Sequence, residues 1–331
     1  MIKLPRRQFL HLAIGAAALP VVSRMASAQA YPSRPITIIV PSGAGGPSDV
    51  VARVMVEGMR GSLGQPLIIE NVPGAAGTLG IGRVARAKPD GYTLAFSGSF
   101  TTHVVHGAIR TLPYDVVNDF EPIALVADGP QLMSSRKTMP ASDLKGLIGW
   151  LKQNPDKASL GQTGPGSPAH VTGILFQKQT GTRFQFVSYR SAGQAMQDMI
   201  AGHIDLMFTA PTIALAPLQA GRIKSYAVTA GNRLAMAPDI PTVDEAGLPG
   251  FYASPWNALW APKGTPHDAI ARLNAAVVDA LADTTVRKRL ADLGLQIVPR
   301  EQQTPEALGA FQKAEIEKWW PILKAAGIKV Q

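Results

Sequence analysis

Hydrophobic positions along the chain switch repeatedly between strand-like and helix-like rhythms, and the first switch is the sharpest. Ile36-Thr37-Ile38-Ile39-Val40 is a β-branched run of strand length, and Val50, Val51, Val54 and Met55 repeat at helical spacing. Between them lies Pro41-Ser42-Gly43-Ala44-Gly45-Gly46-Pro47-Ser48-Asp49, which predicts a glycine loop running into a helix, with Ser48 as its cap and Asp49 in its first turn. Glycines without a Cβ let a ligand approach N–H groups that have no acceptor inside the helix. A carboxylate or phosphate would sit where those donors and the positive helix end converge. A second strand over 66–70 leads into another glycine-rich turn and a small-residue helix through Ala87. Pro89-Asp90-Gly91 is a turn, 92–96 a strand, and Ser97-Gly98-Ser99 a polar loop at its C-terminal end.

The same order is then repeated. Residues 158–160 form a short strand, Gly161-Gln162-Thr163-Gly164-Pro165-Gly166-Ser167-Pro168 a glycine loop, and 169–180 a helix. Ser167 stands before Pro168 as a capping residue stands before a proline at the first helical position. A strand over 184–189 follows. One glycine loop is an ordinary βα turn, whereas two such units predict paired domains whose helix N-termini face one ligand across a cleft. Beyond them the pattern predicts a helix over 191–201 closed by Gly202, a strand over 204–208 ending at Thr209-Ala210, a helix over 213–221 and a strand over 223–228. The proline- and glycine-rich passage 241–250 reads as a return to the first domain, and helices over 266–281, 284–293 and 304–326 as scaffold.

Composition changes the picture mainly at the ends of the argument. In the 331-residue sequence, Lys3, Arg6 and Arg7 precede a mildly apolar run over 10–22 and the small-residue pattern Ala26-Ser27-Ala28. This reads as an export signal of the twin-arginine type, with cleavage near Ala28 or Ala30 and a periplasmic mature protein. His11, Gly15 and Pro20 interrupt the run well short of the roughly 20 apolar residues of a membrane span. Removing residues 1–30 takes away four of the 32 basic residues and lowers the net charge from +9 to +5. No basic cluster with interleaved aromatics appears, so no nucleic-acid partner is expected. There is no cysteine, which excludes disulfides and thiolate metal sites. About 300 mature residues exceed what one core usually serves, so two domains are expected.

Candidate chemistries narrow quickly. Neither Ser48 nor Ser167 stands in a Gly-x-Ser-x-Gly elbow, and no Gly-Lys-Ser/Thr follows the glycines. His103 and His106 have the spacing of ligands on one helical face but lack an acidic or third imidazole partner nearby in sequence, so a satisfied or surface histidine pair is the better reading. The alternative function is an exported NAD(P)-dependent oxidoreductase with a Rossmann-like first domain. In it Gly43 and Gly45 open the helix and Glu70 stands where a ribose-binding acid would. That reading leaves the second glycine loop unexplained.

A wider set of motifs carries a resemblance. These include Tyr31-Pro32-Ser33-Arg34-Pro35-Ile36, Leu63-Gly64-Gln65-Pro66, Pro89-Asp90-Gly91-Tyr92-Thr93-Leu94, Leu112-Pro113-Tyr114-Asp115, Asp205-Leu206-Met207-Phe208, Pro241-Thr242-Val243 and Gly264-Thr265-Pro266. Across essentially the whole mature chain they resemble the Bug family of extracytoplasmic substrate-binding proteins of tripartite tricarboxylate transporters. The resemblance implies an α/β periplasmic-binding-protein (Venus flytrap) fold, two α/β domains with a cleft between them. Domain 1 would comprise residues 31–128 and 252–331, domain 2 residues 129–251. It further implies a non-enzymatic, cofactor-free monomer that passes a small carboxylate to transporter membrane subunits. The ligand-binding residues expected are Ser42, Gly43, Ala44, Gly45, Gly46, Ser48, Asp49, Ser97, Ser99, Thr163, Gly164, Ser167, His170, Tyr189 and Thr209. The family often has Phe at Ser42, Gly at Ser191 and Asp-Asn at Thr209-Ala210. The last difference removes a carboxylate that could pair with a ligand ammonium and leaves Asp49 and Arg190 as the charged cleft candidates.

Overall fold

The computed structural model describes residues 31–98 and 100–328; the export signal over 1–30 and candidate Ser99 lie outside them. Two sheets organise the chain. The first has strand order β11-β4-β10-β3-β1-β2, from β1 (Ile36–Val40), β2 (Leu67–Asn71), β3 (Thr93–Ser97), β4 (Phe120–Asp128), β10 (Trp256–Pro262) and β11 (Gln296–Ile297). The second has order β7-β6-β8-β5-β9, from β5 (Leu132–Arg136), β6 (Ser159–Gln162), β7 (Gln185–Ser188), β8 (Leu206–Thr209) and β9 (Ile223–Val228). Five strands of the first sheet have counterparts in the second. In each, the strand leading into the glycine loop pairs in parallel with both neighbours, and the next strand across runs antiparallel. That antiparallel strand, β10 or β5, is the one the chain enters after crossing from the other sheet. The crossings are 129–131 and 229–255.

This order is not that of a dinucleotide fold. There the strand after the second continues outward beyond it; here β3 lies on the far side of β1, next to antiparallel β10. Glu70 is paired with Arg83.

Helix α1 (Pro47–Leu63) buries Val51, Met55 and Met59 against the first sheet and the helix over His267–Ala282. Gly58 permits that crossing, since a Cβ there would lie 2.8 Å from the Ala280 methyl. Three expectations are corrected. Ser48 is not the cap of α1: Pro47 takes the first helical position, so Gly46 is the N-cap and no side chain caps. The rule that fits Ser167-Pro168 applies equally to Gly46-Pro47. The strand expected over 158–160 runs on through Gly161 and Gln162, which pair with Val187 and Ser188. The helix expected from 213 begins at Pro211, again a proline at the first position. Among the described residues no helix is long and apolar enough to cross a membrane.

Candidate functional site

A cavity of about 350 Å³ lies between the two sheets. The starts of five helical segments reach it: α1 through Pro47 and Ser48, the segment from Phe100 through Gly98 and Thr101, α5 (Pro168–Thr180) through Pro168 and Ala169, α6 (Ala192–Ala201) through Ala192, and α7 (Pro211–Gln219) through Ala210 and Ile213. The helices between α1 and α5 are α2 (Thr78–Ala85), α3 (His106–Ile109) and α4 (Leu144–Gln153). Both crossings contribute as well, through Gly129 and Gln131 on one and Pro255 on the other.

Of the expected site residues, Ser48, Thr163 and Thr209 line the cavity. The other described candidates do not line it. Gly43, Ala44 and Gly45 form an exposed loop, Gly46 caps α1, and the buried Ser42 hydroxyl has no partner among the described residues. The buried Asp49 does not line the cavity and is engaged by its own loop. Its carboxylate accepts from the Gly45 N–H at 2.8 Å, from Asn71 Nδ2 at 3.0 Å, and from Arg53 Nε and Nη2 at 2.9 and 3.0 Å. The Arg53 bonds above all hold its pKa at about 2. Ser97 is fully buried beneath Gly98, its hydroxyl 2.9 Å from Thr102 Oγ1.

In the second loop, Gln162 Oε1 accepts from the Gly164 N–H, the Ser167 hydroxyl caps α5 by accepting from the His170 N–H, and His170 Nδ1 accepts from the Gly166 N–H at 3.1 Å. Burial lowers the His170 pKa, which keeps the ring a neutral acceptor. Tyr189 donates to Asp198 at 2.8 Å and stays out of the cavity. Arg190 is exposed and does not line it either.

The reading of the residues missed Thr101, Gln131, Asn257, Trp256 and Leu295, all of which line the cavity. Asn257 and Trp256 belong to β10, whose seven residues are all buried; the apolar run between Pro255 and Lys263 was the signal for that strand. Leu295, between two of the C-terminal helices expected to be scaffold, reaches the cavity wall. His103 and His106 are core residues. His103 stacks on Trp260 with ring centroids 4.6 Å apart, and burial first of all depresses its pKa to about 3. Among the described residues no group of three or more His, Cys, Asp or Glu is placed to hold a metal.

A ligand-sized cavity between two α/β domains, with helix N-termini aimed at it from both sides, defines a cleft-type solute-binding protein. The sequence profile of the tripartite tricarboxylate transporter family receptor matches residues 51–328, and the chain belongs to that family. It is 33% identical over 306 residues to Protein BugT of Bordetella pertussis, covering 92% of this chain and 93% of that one. The solved periplasmic binding protein BugD superposes with a TM-score of 0.74 at 36% identity, covering 91% of this chain and 100% of that one. MatC of Rhodopseudomonas palustris with bound malate gives a TM-score of 0.74 at 37% identity, covering 88% and 100%. A further R. palustris protein, with adipate, gives 0.76 at 29%, covering 90% and 99%. These relatives are binding proteins, and with the sheet order above they displace the oxidoreductase alternative.

Proposed function

We propose that this protein captures a small carboxylate in the cleft between its domains, in the periplasm, and delivers it to the membrane subunits of a tripartite tricarboxylate-type transporter without catalysing a reaction. The observation that carries the reading is the composition of the cavity: neutral donors and helix starts from both domains converge, and no lining residue bears a charge. A carboxylate fits such a place because first-turn N–H groups, among them those of Ser48 and Ala169, have no acceptor inside their helices. Malate and adipate in two relatives of this family agree with it. Ser48, Thr163 and Thr209 would touch the ligand; Ser42 to Gly46, Asp49, Ser97, Gly164, Ser167, His170 and Tyr189 would act by holding the loops. The domain borders would fall at 128/129 and 251/252, and the working unit would be a monomer.

A thermal-shift screen against mono-, di- and tricarboxylates tests the function. A ligand at about 100 times its Kd stabilises the fold by about 2.7 kcal/mol. Because the cavity has no carboxylate to receive an ammonium, simple carboxylates should shift the melting temperature and their amino-acid counterparts should not. The reverse pattern would refute the reading. Export by the twin-arginine route is tested by changing Arg6 and Arg7 together to lysine, which keeps the charge; the variant should fail to reach the periplasm while the purified mature protein still binds.

A further inference from the structure

We propose that the ligand is a hydroxycarboxylate, and that the side-chain oxygen of Gln131 receives its hydroxyl and sets the preference for it. This rests on the carboxylate reading above and deepens it. A carboxylate only accepts hydrogen bonds, so helix-start N–H groups and hydroxyls can serve the whole of it. They leave one feature of the cavity without a use, an acceptor that cannot turn.

Gln131 stands on the first crossing between the sheets, lines the cavity and is only 4% exposed. Its backbone N–H donates to Thr229 Oγ1 at 2.9 Å. Its amide nitrogen donates to Thr172 Oγ1 at 2.8 Å and to the Ala253 carbonyl at 3.1 Å, which takes up both amide hydrogens. The carbonyl decides which way the amide faces. Turned over, the amide would bring its own oxygen against the Ala253 oxygen, acceptor against acceptor, and a carbonyl has no proton to offer. Oε1 is therefore the free end. Among the described residues no hydrogen bond reaches it, and it is not sealed off as the partnerless Ser42 Oγ and Asp128 Oδ1 are, so its exposure is to the space that Gln131 lines. The other polar residues of the cavity adapt to what they meet. The hydroxyls of Ser48, Thr101, Thr163 and Thr209 rotate, and the Asn257 amide has no internal partner among the described residues to hold it one way. Gln162 is held, by Ser188, but its oxygen already receives the Gly164 N–H and the Ser167 hydroxyl. At Gln131 Oε1 a ligand carboxylate oxygen is repelled, and a methylene leaves the oxygen without the water it had. A ligand hydroxyl satisfies it. An ammonium could donate as well, but the positive ends of the helices that converge on the cavity oppose a cation.

The test is calorimetric titration of the mature protein with matched pairs: butyrate and 3-hydroxybutyrate, succinate and malate, glutarate and 2-hydroxyglutarate, each hydroxy acid as both enantiomers. In at least one pair, one enantiomer of the hydroxy acid should bind about tenfold more tightly than the acid without the hydroxyl. The fluoro analogue of that hydroxy acid, with a substituent of similar size and no proton to donate, should bind no more tightly than the unsubstituted acid. Gln131→Met keeps the length of the side chain and removes the acceptor, and it should bring the pair to within about twofold of each other, with a melting curve confirming the fold. The ratio within a pair is the readout because a merely structural loss weakens both members alike. Equal affinities throughout the wild-type pairs, a fluoro analogue that matches the hydroxy acid, or a preference that survives in the methionine variant would overturn the inference and leave the carboxylate reading standing. Succinamide binding as well as succinate would overturn the carboxylate reading itself. Binding of none of the acids would overturn both.

Discussion

The two glycine loops stand at equivalent places, at the C-terminal ends of β1 and β6 in sheets of matching strand order, yet they are held by opposite chemistry. In the first, one buried carboxylate, Asp49, gathers the Gly45 N–H, Asn71 and the Arg53 guanidinium, while the loop above it lies open to solvent. In the second no charge takes part; a serine hydroxyl, a glutamine oxygen and a neutral imidazole do the same work. The second loop also touches the opposite domain, since Gly166 lies against Ile109 of α3. Matching topology thus sets where a loop sits, and the side chains beneath it decide whether it is fixed within its own domain or partly by the other.

The largest expected effect comes from that contact. Gly166 has a φ of +81°, and a Cβ there would lie 2.6 Å from Ile109 Cδ1. Gly166→Val combines backbone strain with overpacking and should destabilise by about 2–4 kcal/mol in urea unfolding. Gly43→Ala is the matching change in the first loop. No atom lies within 4 Å of its would-be Cβ, so the effect should stay within about 0.5 kcal/mol. Equal losses at both positions would break the distinction.

Next in size are the two polar anchors. Asp49→Ala removes a charge-assisted set and leaves Arg53 without its partner, an expected loss of about 1.5–3 kcal/mol. Ser167→Ala removes a helix cap, for which about 1 kcal/mol is expected. Thermal unfolding should rank them in that order, and the reverse ranking would mean that the neutral network is the stronger one.

How much of this could be read in advance follows from where each signal lies. The strand at Ile36–Val40 and the second unit from Ser159 to Thr180 were legible because β-branched runs, glycines and the Ser-Pro cap are local marks. The crossing strand β5 was not. In β5, Ser134 pairs with Ser225 at 2.8 Å, Ser135 with Tyr226 at 2.6 Å, and Arg136 with Asp205 at 2.7 Å. Polar residues are tolerated in this strand only because partners some 70 to 90 positions away satisfy them. Ser48, Thr163 and Thr209 could be singled out because each lies near a strand-to-helix junction: Thr209 ends its strand, Thr163 follows one, and Ser48 stands in the first turn of a helix. Gln131 reaches the same cavity from the first passage between the sheets and Asn257 from β10, just after the second, a meeting that only the tertiary fold creates.

The smallest expected effect is also the most specific to the comparison, because the two loops should loosen at different pH. Burial lowers the His170 pKa below its ordinary 6.5, so the folded state binds that proton less readily than the unfolded chain. Its contribution is whole above about pH 6.5 and is lost as pH falls through the depressed folded value. Asp49 behaves in the same sense lower on the scale. Its pKa falls from 3.8 to about 2, so its contribution is whole above 3.8 and fades only as pH falls toward 2. As pH falls below 6.5 through that depressed value, therefore, protonation should remove the acceptor of the Gly166 N–H, whereas the Gly45 N–H keeps its carboxylate until pH nears 2. Hydrogen exchange, expressed as protection relative to each amide's intrinsic rate, should show Gly166 losing protection across that range and Gly45 holding it. His170→Gln places a non-titrating acceptor at the same position and should flatten the Gly166 profile. If Gly45 loosens first, or if the glutamine variant keeps the pH dependence, then the imidazole is not what holds the second loop.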